Sequence, residues 1–487
     1  MNMLPSNGSF TPENNPIMSP STRERVRVFF LFLATALISL FFCCFHSPFY
    51  RFSIYPDANA YMGVARAIGH GLMPYRDVFD HKGILLYLIN YGAGSLFPKS
   101  MTGVYLSISL SLTIFLWYGY RIARMFLSTI PSLIATLSLL LFSVGHHIIY
   151  KDGGGSAEEY LMPCLMACLY YLIILGRYNE KEPNITPRRF FLDSLTTGLF
   201  CGVMLWVKYT PLPAVGAAFL ILYVYMFTKK RSADAIRSLF GVFLGVITVS
   251  LPCLIFLWVN GLLDDAWSIY VMFNFHYIGG RVASVHTAAN INNFYASFPH
   301  MIVTFPGLLY LRLKTKRLMG WVRADFSKTA SAFVAGFSVV LILGLTVYSS
   351  AENWVKGSVV FPKTNIEYCA EVANDHWILH GDGSSPKNIS LFGMEMGLSQ
   401  LCNTYPQNRY FYAPNVELNI NAGILDEQMK YIETGSVDFI LANSTMDVTG
   451  QIARINPSYR LICMRLSDND VKYSYRVYAK DRTGGEP

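Results

Sequence analysis

Long uncharged apolar runs alternate with short polar stretches along this chain, and the length of each run decides what it forms. A helix rises about 1.5 Å per residue, so crossing a hydrocarbon layer about 30 Å thick takes about 20 predominantly apolar residues. Runs of that order lie at 28–45, 101–120, 130–150, 160–176, 239–263 and 329–351. Weaker ones, short or flanked by a charge, lie at 190–207, 211–228 and 298–311. The pattern predicts a polytopic α-helical membrane protein with about nine transmembrane helices. A further apolar run at 84–97 reads as a short interfacial or re-entrant helix, because a span there would break the charge alternation of the loops.

That alternation orients the chain. Arg23, Arg25 and Arg27, then Arg121 and Arg124, Arg177 to Arg189, Lys229 to Arg237, and Arg312 to Arg323 all fall on one side of a nine-span arrangement, which the positive-inside bias makes cytoplasmic. The loops at 46–100, 150–160, 208–210 and 264–297 then face outward, with everything after about 351. Composition agrees with the class: 53% of the 487 residues are hydrophobic, 15% aromatic and only 14% charged, at a mean hydropathy of +0.34. The net charge of +8 points to topology and not to nucleic acid, since the segment from 351 onward holds 12 Lys and Arg against 16 Asp and Glu. The first apolar run has a basic flank and no small-residue cleavage pattern after it, so it reads as a retained anchor. Residues 1–27 read as a cytoplasmic N-terminal segment, disordered through the Ser-, Asn- and Pro-rich first 20.

The exported tail, 351–487, carries strand-like runs at Ile389–Phe392, Phe439–Ala442, Leu461–Leu466 and Tyr473–Ala479, with a helical stretch Asp426–Gly435 between them. It predicts a small extracytoplasmic α/β domain that holds an acceptor or caps the membrane part. Of nine cysteines, six sit in or beside apolar runs as packing residues. Cys369, Cys402 and Cys463 lie in the tail, where at most one internal disulfide is possible, and no spacing suggests zinc.

Candidate chemistry concentrates in the outer loops. In YPDANAYMGVARAIGHGLMPYRDVFDHKG, residues 55–83, Ala58, Tyr61, Met62, Ala65 and Ile68 recur at helical spacing, as in a helix lying in the membrane interface. Asp57 stands at its start, where a helix cap and a proton acceptor both fit. Asp77, Asp80, His81 and Lys82 return to the same face. Either aspartate also suits a simple turn, and His81 a packing role. In the second outer loop, KDGGGSAEEY, Glu158 and Glu159 open a span beside three glycines. Ser156 and the helix dipole account for such acids, while glycines also let backbone approach a ligand. Lys208 sits at the outer end of another span, as a snorkelling anchor or a site residue. The aromatic stretch from Trp267 through Tyr277 to Arg281 reads as an interfacial belt or a flexible cover, and Asp264 and Asp265 as helix-start residues.

Together these residues resemble the GT-C superfamily of polytopic glycosyltransferases that use polyprenyl-phosphate sugars, such as protein mannosyltransferases and the lipid A aminoarabinose transferase. The resemblance rests on PDANAY with Asp57 and Tyr61, YRDVFDHKG at 75–83, AEEY at 157–160, and GLFCGVMLWVKYT ending just past Lys208. It implies a catalytic domain over 28–350, with Asp57 as the base. It also implies substrate contacts from Tyr61, Tyr75, Arg76, Asp77, Asp80, His81, Lys82, Glu158, Glu159 and Lys208, with Lys82 on lipid phosphate. The implied reaction moves a sugar, with inversion, onto a glycan, lipid or protein at the outer face of a cytoplasmic membrane. It requires no cofactor, although the acids are compatible with a divalent cation. The chain departs from the family in having Gly83-Ile84 after Lys82, and Ala58 where many relatives carry a second acid. A transporter or flippase would bury ionisable residues near the bilayer midplane, which these runs nearly lack. A glycan-binding membrane subunit is the other reading.

Overall fold

The computed structural model describes residues 22–140, 154–177, 186–275, 363–391, 395–412, 418–442, 448–467 and 474–482. Nine helices precede the tail in these segments: α1 (Thr22–Cys43), α2 (Pro56–Gly69), α3 (Ile84–Leu96), α4 (Thr102–Ala123), α5 (Thr129–Leu140), α6 (Ala157–Arg177), α7 (Pro187–Val207), α8 (Leu212–Thr228) and α9 (Ser232–Val259). A short turn, Leu263–Ala266, then runs into a π-helical turn, Trp267–Phe273. Five of them, α1, α4, α6, α7 and α9, are long and apolar enough to cross a membrane, and α3, α5 and α8 are shorter apolar helices. Seven of the nine expected runs therefore coincide with helices, and 298–311 and 329–351 lie outside the described residues. Helix α9 starts seven residues ahead of its apolar run because Asp234 takes up the charges of Arg231 and Arg237 in its first turns.

Helices α7 and α9 cross in close backbone contact. A Cβ on Gly198 would sit 2.1 Å from the Val242 carbonyl oxygen, and one on Gly245 would sit 2.2 Å from that of Leu195. Gly202 and Gly241 continue the seam. Small residues four apart let membrane helices approach this closely. Ser194 donates to Ser238 at 2.8 Å, and Trp206 Nε1 to Ser250 at 2.8 Å, satisfying polar groups between the helices.

Helix α3, at 13 residues, is too short to span, as its sequence predicts. Helix α2 departs from expectation. Instead of lying half-wet in the interface, it is buried around nearly its whole circumference from Ala58 to Ala65, packed against α3 on one side and the tail on another.

The tail holds α10 (Asn365–His380), β1 (Asn388–Leu391), α11 (Gly397–Leu401), α12 (Leu418–Glu433), β2 (Phe439–Ala442), α13 (Thr449–Ile455), β3 (Tyr459–Arg465) and β4 (Tyr475–Lys480). All four expected strands form, in sheet order β1-β2-β4-β3, with β1 parallel to β2 and the other pairs antiparallel. The expected helix extends further toward its N-terminus, and Gly435 adopts φ +63° just past its end. Alternation along the strands gives the sheet two apolar faces. Phe439, Leu441, Val477 and Cys463 pack with Cys369 and Ala373 of α10, while Ile389, Ile440 and Tyr478 pack with Ile432 and Ile452. The tail is also continuous with the outer loop: Phe52 belongs to its core, and Phe411 and Tyr412 belong to that of the membrane part.

Candidate active site

Two glycine contacts bring the ends of four elements together. Gly83 has no room for a side chain, since a Cβ would sit 2.0 Å from the Trp206 carbonyl oxygen. Its N–H donates to the Val207 carbonyl at 3.0 Å, which sets Lys82 beside Lys208 at the end of α7. Gly155, at φ +96°, lies where a Cβ would be 2.0 Å from His46 Nε2 and 2.4 Å from the Ala58 Cβ. That contact sets the start of α6, with Glu158, against the start of α2, with Asp57. Gly154 and Gly155 thus approach protein, Gly154 against Cys44 and Gly155 against His46 and Ala58.

Asp57 occupies the second position of α2, behind Pro56, and Tyr55 holds the cap position without a side-chain bond to the helix. The capping role open to Asp57 in the sequence is therefore not taken. Among the described residues its carboxylate accepts no hydrogen bond and forms no ion pair, and it lies within electrostatic range of Lys82, Asp80, Glu158 and Lys208. Loss of water raises its pKa above the ordinary aspartate value, with Lys82 opposing the shift. Tyr61, one turn along, is buried, and its hydroxyl is held protonated by burial and by the nearby Asp57.

Lys82 is fixed at both backbone ends: its carbonyl accepts from the Tyr75 hydroxyl at 2.7 Å, and its N–H donates to the Tyr87 hydroxyl at 2.9 Å. Its ammonium meets His81 Nε2 at 2.8 Å. His81 Nδ1 faces Asp80 Oδ1 at 3.5 Å, and Asp80 Oδ1 also accepts from the His81 N–H at 2.6 Å and from the Tyr412 hydroxyl at 3.1 Å. With the ring proton on Nδ1, toward the carboxylate, Nε2 is left to accept from Lys82. Desolvation lowers the Lys82 pKa, opposed by Asp80 and Asp57. Lys208 is paired with Glu158, and both side chains keep access to solvent, at 31% and 50% exposure.

Other candidates have structural places. Asp77 Oδ2 accepts from the Met73 N–H at 2.7 Å, and its own N–H returns to the Met73 carbonyl at 2.9 Å, locking the turn in which Tyr75 takes φ 70°. Arg76 pairs with Asp77 at 3.3 Å and donates to the Asn260 carbonyl at 3.2 Å, tying the loop to the end of α9. Glu159, fully buried, accepts from the N–H groups of Gly155 at 2.8 Å and Ser156 at 3.3 Å, and so caps its own helix. Asp264 and Asp265 stand in the first turn of their short helix, as expected. The aromatic stretch, as far as Phe275, packs on the site: Phe273 lies 5.3 Å from Phe79 and 5.5 Å from His81, and Asn274 donates to the His81 carbonyl at 2.7 Å. Its remainder, with Tyr277 and Arg281, lies outside the described residues.

Sequence reasoning missed Tyr412, Tyr87, Asn274 and His46. Only Tyr87 carries a local signal, five residues past Lys82 on the first turn of α3. Among the described residues, no three His, Cys, Asp or Glu side chains gather where they could hold a metal ion, and the acids at the site are interleaved with lysines. The arrangement provides one carboxylate without a hydrogen bond among the described residues, near two ammonium groups.

No family model matches the sequence, and no curated protein matches it. Solved structures do match. ArnT from Cupriavidus metallidurans bound to undecaprenyl phosphate aligns over 96% of this chain and 100% of that one, with a TM-score of 0.51 and 11% identity. The apo state of the same protein gives 0.47 at 12% identity, over 95% and 99% of the two chains. An Archaeoglobus fulgidus oligosaccharyltransferase in complex with zinc and sulfate gives 0.41 at 11% identity, over 87% and 69%. At 11% identity the likeness is one of fold: this chain shares the overall architecture of that ArnT structure.

Proposed function

We propose that the chain is a membrane glycosyltransferase that moves a sugar from a polyprenyl-phosphate carrier to an acceptor at the outer face of the membrane. The observation that carries this is the convergence of Asp57, free of hydrogen bonds among the described residues, with Lys82 and Lys208 at the ends of separate elements. Support from fold comes through the ArnT structure, which holds undecaprenyl phosphate.

Asp57 takes the proton from the acceptor hydroxyl as its oxygen attacks the anomeric carbon. The bond from that carbon to the phosphate oxygen breaks on the opposite face, giving inversion. The phosphate leaves as an anion, so it needs no proton, and Lys82 and Lys208 stabilise the charge that develops on it. Glu158 holds Lys208 in place until a phosphate competes for it. A carboxylate with a raised pKa is a better base than an ordinary aspartate. The lipid-facing flank of the bundle accommodates the isoprenoid tail, which accounts for the polytopic build. Outward orientation of the site, residence in a cytoplasmic membrane, and an acceptor among glycans, lipids or proteins belong to the same proposal.

Purified protein in nanodiscs, given a panel of polyprenyl-phosphate sugars and an acceptor extract, is expected to transfer sugar. Lys82→Ala is expected to lose about 100-fold in kcat/KM. Absence of turnover by the wild type with every donor, or an unchanged kcat/KM in the variant, would overturn the proposal.

A further inference from the structure

Three cysteines lie in the tail, and the structure distinguishes them. Cys369 on α10 and Cys463 on β3 bring their sulfur atoms to 3.2 Å across 94 residues of chain. Both are buried in one apolar cluster, at 0% and 9% exposure, with Ala370, Ala373, Phe439 and Val477 around them. Cys402 packs on the edge of the same cluster, and its thiol donates to the Ala370 carbonyl at 3.7 Å.

We propose that Cys369 and Cys463 form a disulfide in the mature protein, with Cys402 left as a free thiol. A disulfide needs its sulfur atoms at about 2.0 Å and compatible side-chain directions. Two side chains that already meet between a helix and the strand it packs on satisfy this with a shift of about 1 Å. The bond would tie α10 to β3 and close a loop containing β1, β2 and the 395–412 segment, whose Tyr412 reaches Asp80. A disulfide on the sheet would thus reinforce the platform on which the relay to Lys82 stands.

The inference rests on the outward placement of the tail given above, because disulfides persist in oxidising compartments. The oxidant is a protein dithiol–disulfide exchange partner of that compartment. As the tail folds, one cysteine thiolate attacks the partner's disulfide and forms a mixed disulfide. The second then displaces the partner's thiolate. Two thiols lose two protons and two electrons, and the partner leaves reduced as a dithiol.

The test uses the full chain in the membrane of cells quenched with acid and alkylated under denaturing conditions, followed by peptide mass spectrometry. A protease-cleavable tag at the C-terminus, challenged in intact spheroplasts, reports the side of the tail independently. The expected result is a cleaved tag, a Cys369–Cys463 linked peptide and an alkylated Cys402. A Cys402→Ser variant keeps the link. Reduction, or Cys369→Ser, lowers the unfolding temperature of the tail by at least about 5 °C. A cleaved tag with Cys369 and Cys463 both alkylated, or with either joined to Cys402, would overturn the disulfide while leaving the outward placement intact. A protected tag would overturn the placement, and the disulfide with it.

Discussion

Lys82 is held from three directions: its carbonyl by Tyr75, its N–H by Tyr87, and its ammonium by His81, which Asp80 and Tyr412 orient in turn. Such a chain fixes the position of the charge that a departing phosphate would meet, and its far end lies in the tail, 332 residues from Asp80. Tyr412→Phe removes one hydrogen bond to a charged group, and donor affinity in a titration with polyprenyl phosphate is expected to fall about tenfold. An unchanged affinity would detach Tyr412 from the site. The sequence made Asp57, Lys82, Glu158 and Lys208 legible because each stands at an element boundary beside an apolar run. It could not resolve their roles, since a cap, a turn and a base use the same residue types. Asp57 is left uncommitted because Pro56 opens the helix and displaces it from the cap position, whereas Glu159, its equal in the sequence, is spent on the cap of α6.

Element boundaries carry the geometry. Gly83 docks on the end of α7 and Gly155 on His46 and the start of α2, and both contacts leave no space for a Cβ. Gly155→Ala adds strain at φ +96° to that clash. It is expected to cost about 3 kcal/mol, read as a lower unfolding temperature, and to separate Glu158 from Asp57. If the variant were as stable as the wild type, the proposed close packing of α6 on α2 would be wrong. Apolar run length predicted most of the helices, and short strand-like runs the four strands, since both follow from local burial. The partners across those contacts were illegible, because nothing in GGGSAEEY names His46, more than a hundred positions earlier in the chain. The glycines of α7 and α9 were equally silent until the two helices stood side by side.

At the scale of the whole molecule, the tail is docked on the 46–100 loop. Phe79 donates to the Arg409 carbonyl at 2.8 Å, Gln400 to that of Asn59 at 3.2 Å, and the ring of His70 stacks on Tyr405 at 3.9 Å. The sequence showed an α/β unit but not this attachment, since the contacting segment 395–412 forms little regular structure. The tail itself has a pH signature. Burial pushes the Glu395 carboxyl up to about 7, against hydrogen bonds from Gly397 and Tyr475 that favour the charged form. The folded tail therefore keeps a proton that the unfolded chain releases near an ordinary glutamate pKa. The stability this lends is full below about 4.3 and is lost as pH rises through about 7. The unfolding temperature of the tail is expected to fall between about pH 5 and 8, and Glu395→Gln to flatten that slope. A slope unchanged in the variant would exclude Glu395 as its source. Asp57 is the proposed base. The most direct test compares Asp57→Asn with wild type for sugar transfer and for donor binding in the same nanodiscs. Loss of transfer by at least about 100-fold, with donor affinity and unfolding temperature preserved, is the predicted result. Transfer at the wild-type rate in the Asn variant would contradict it.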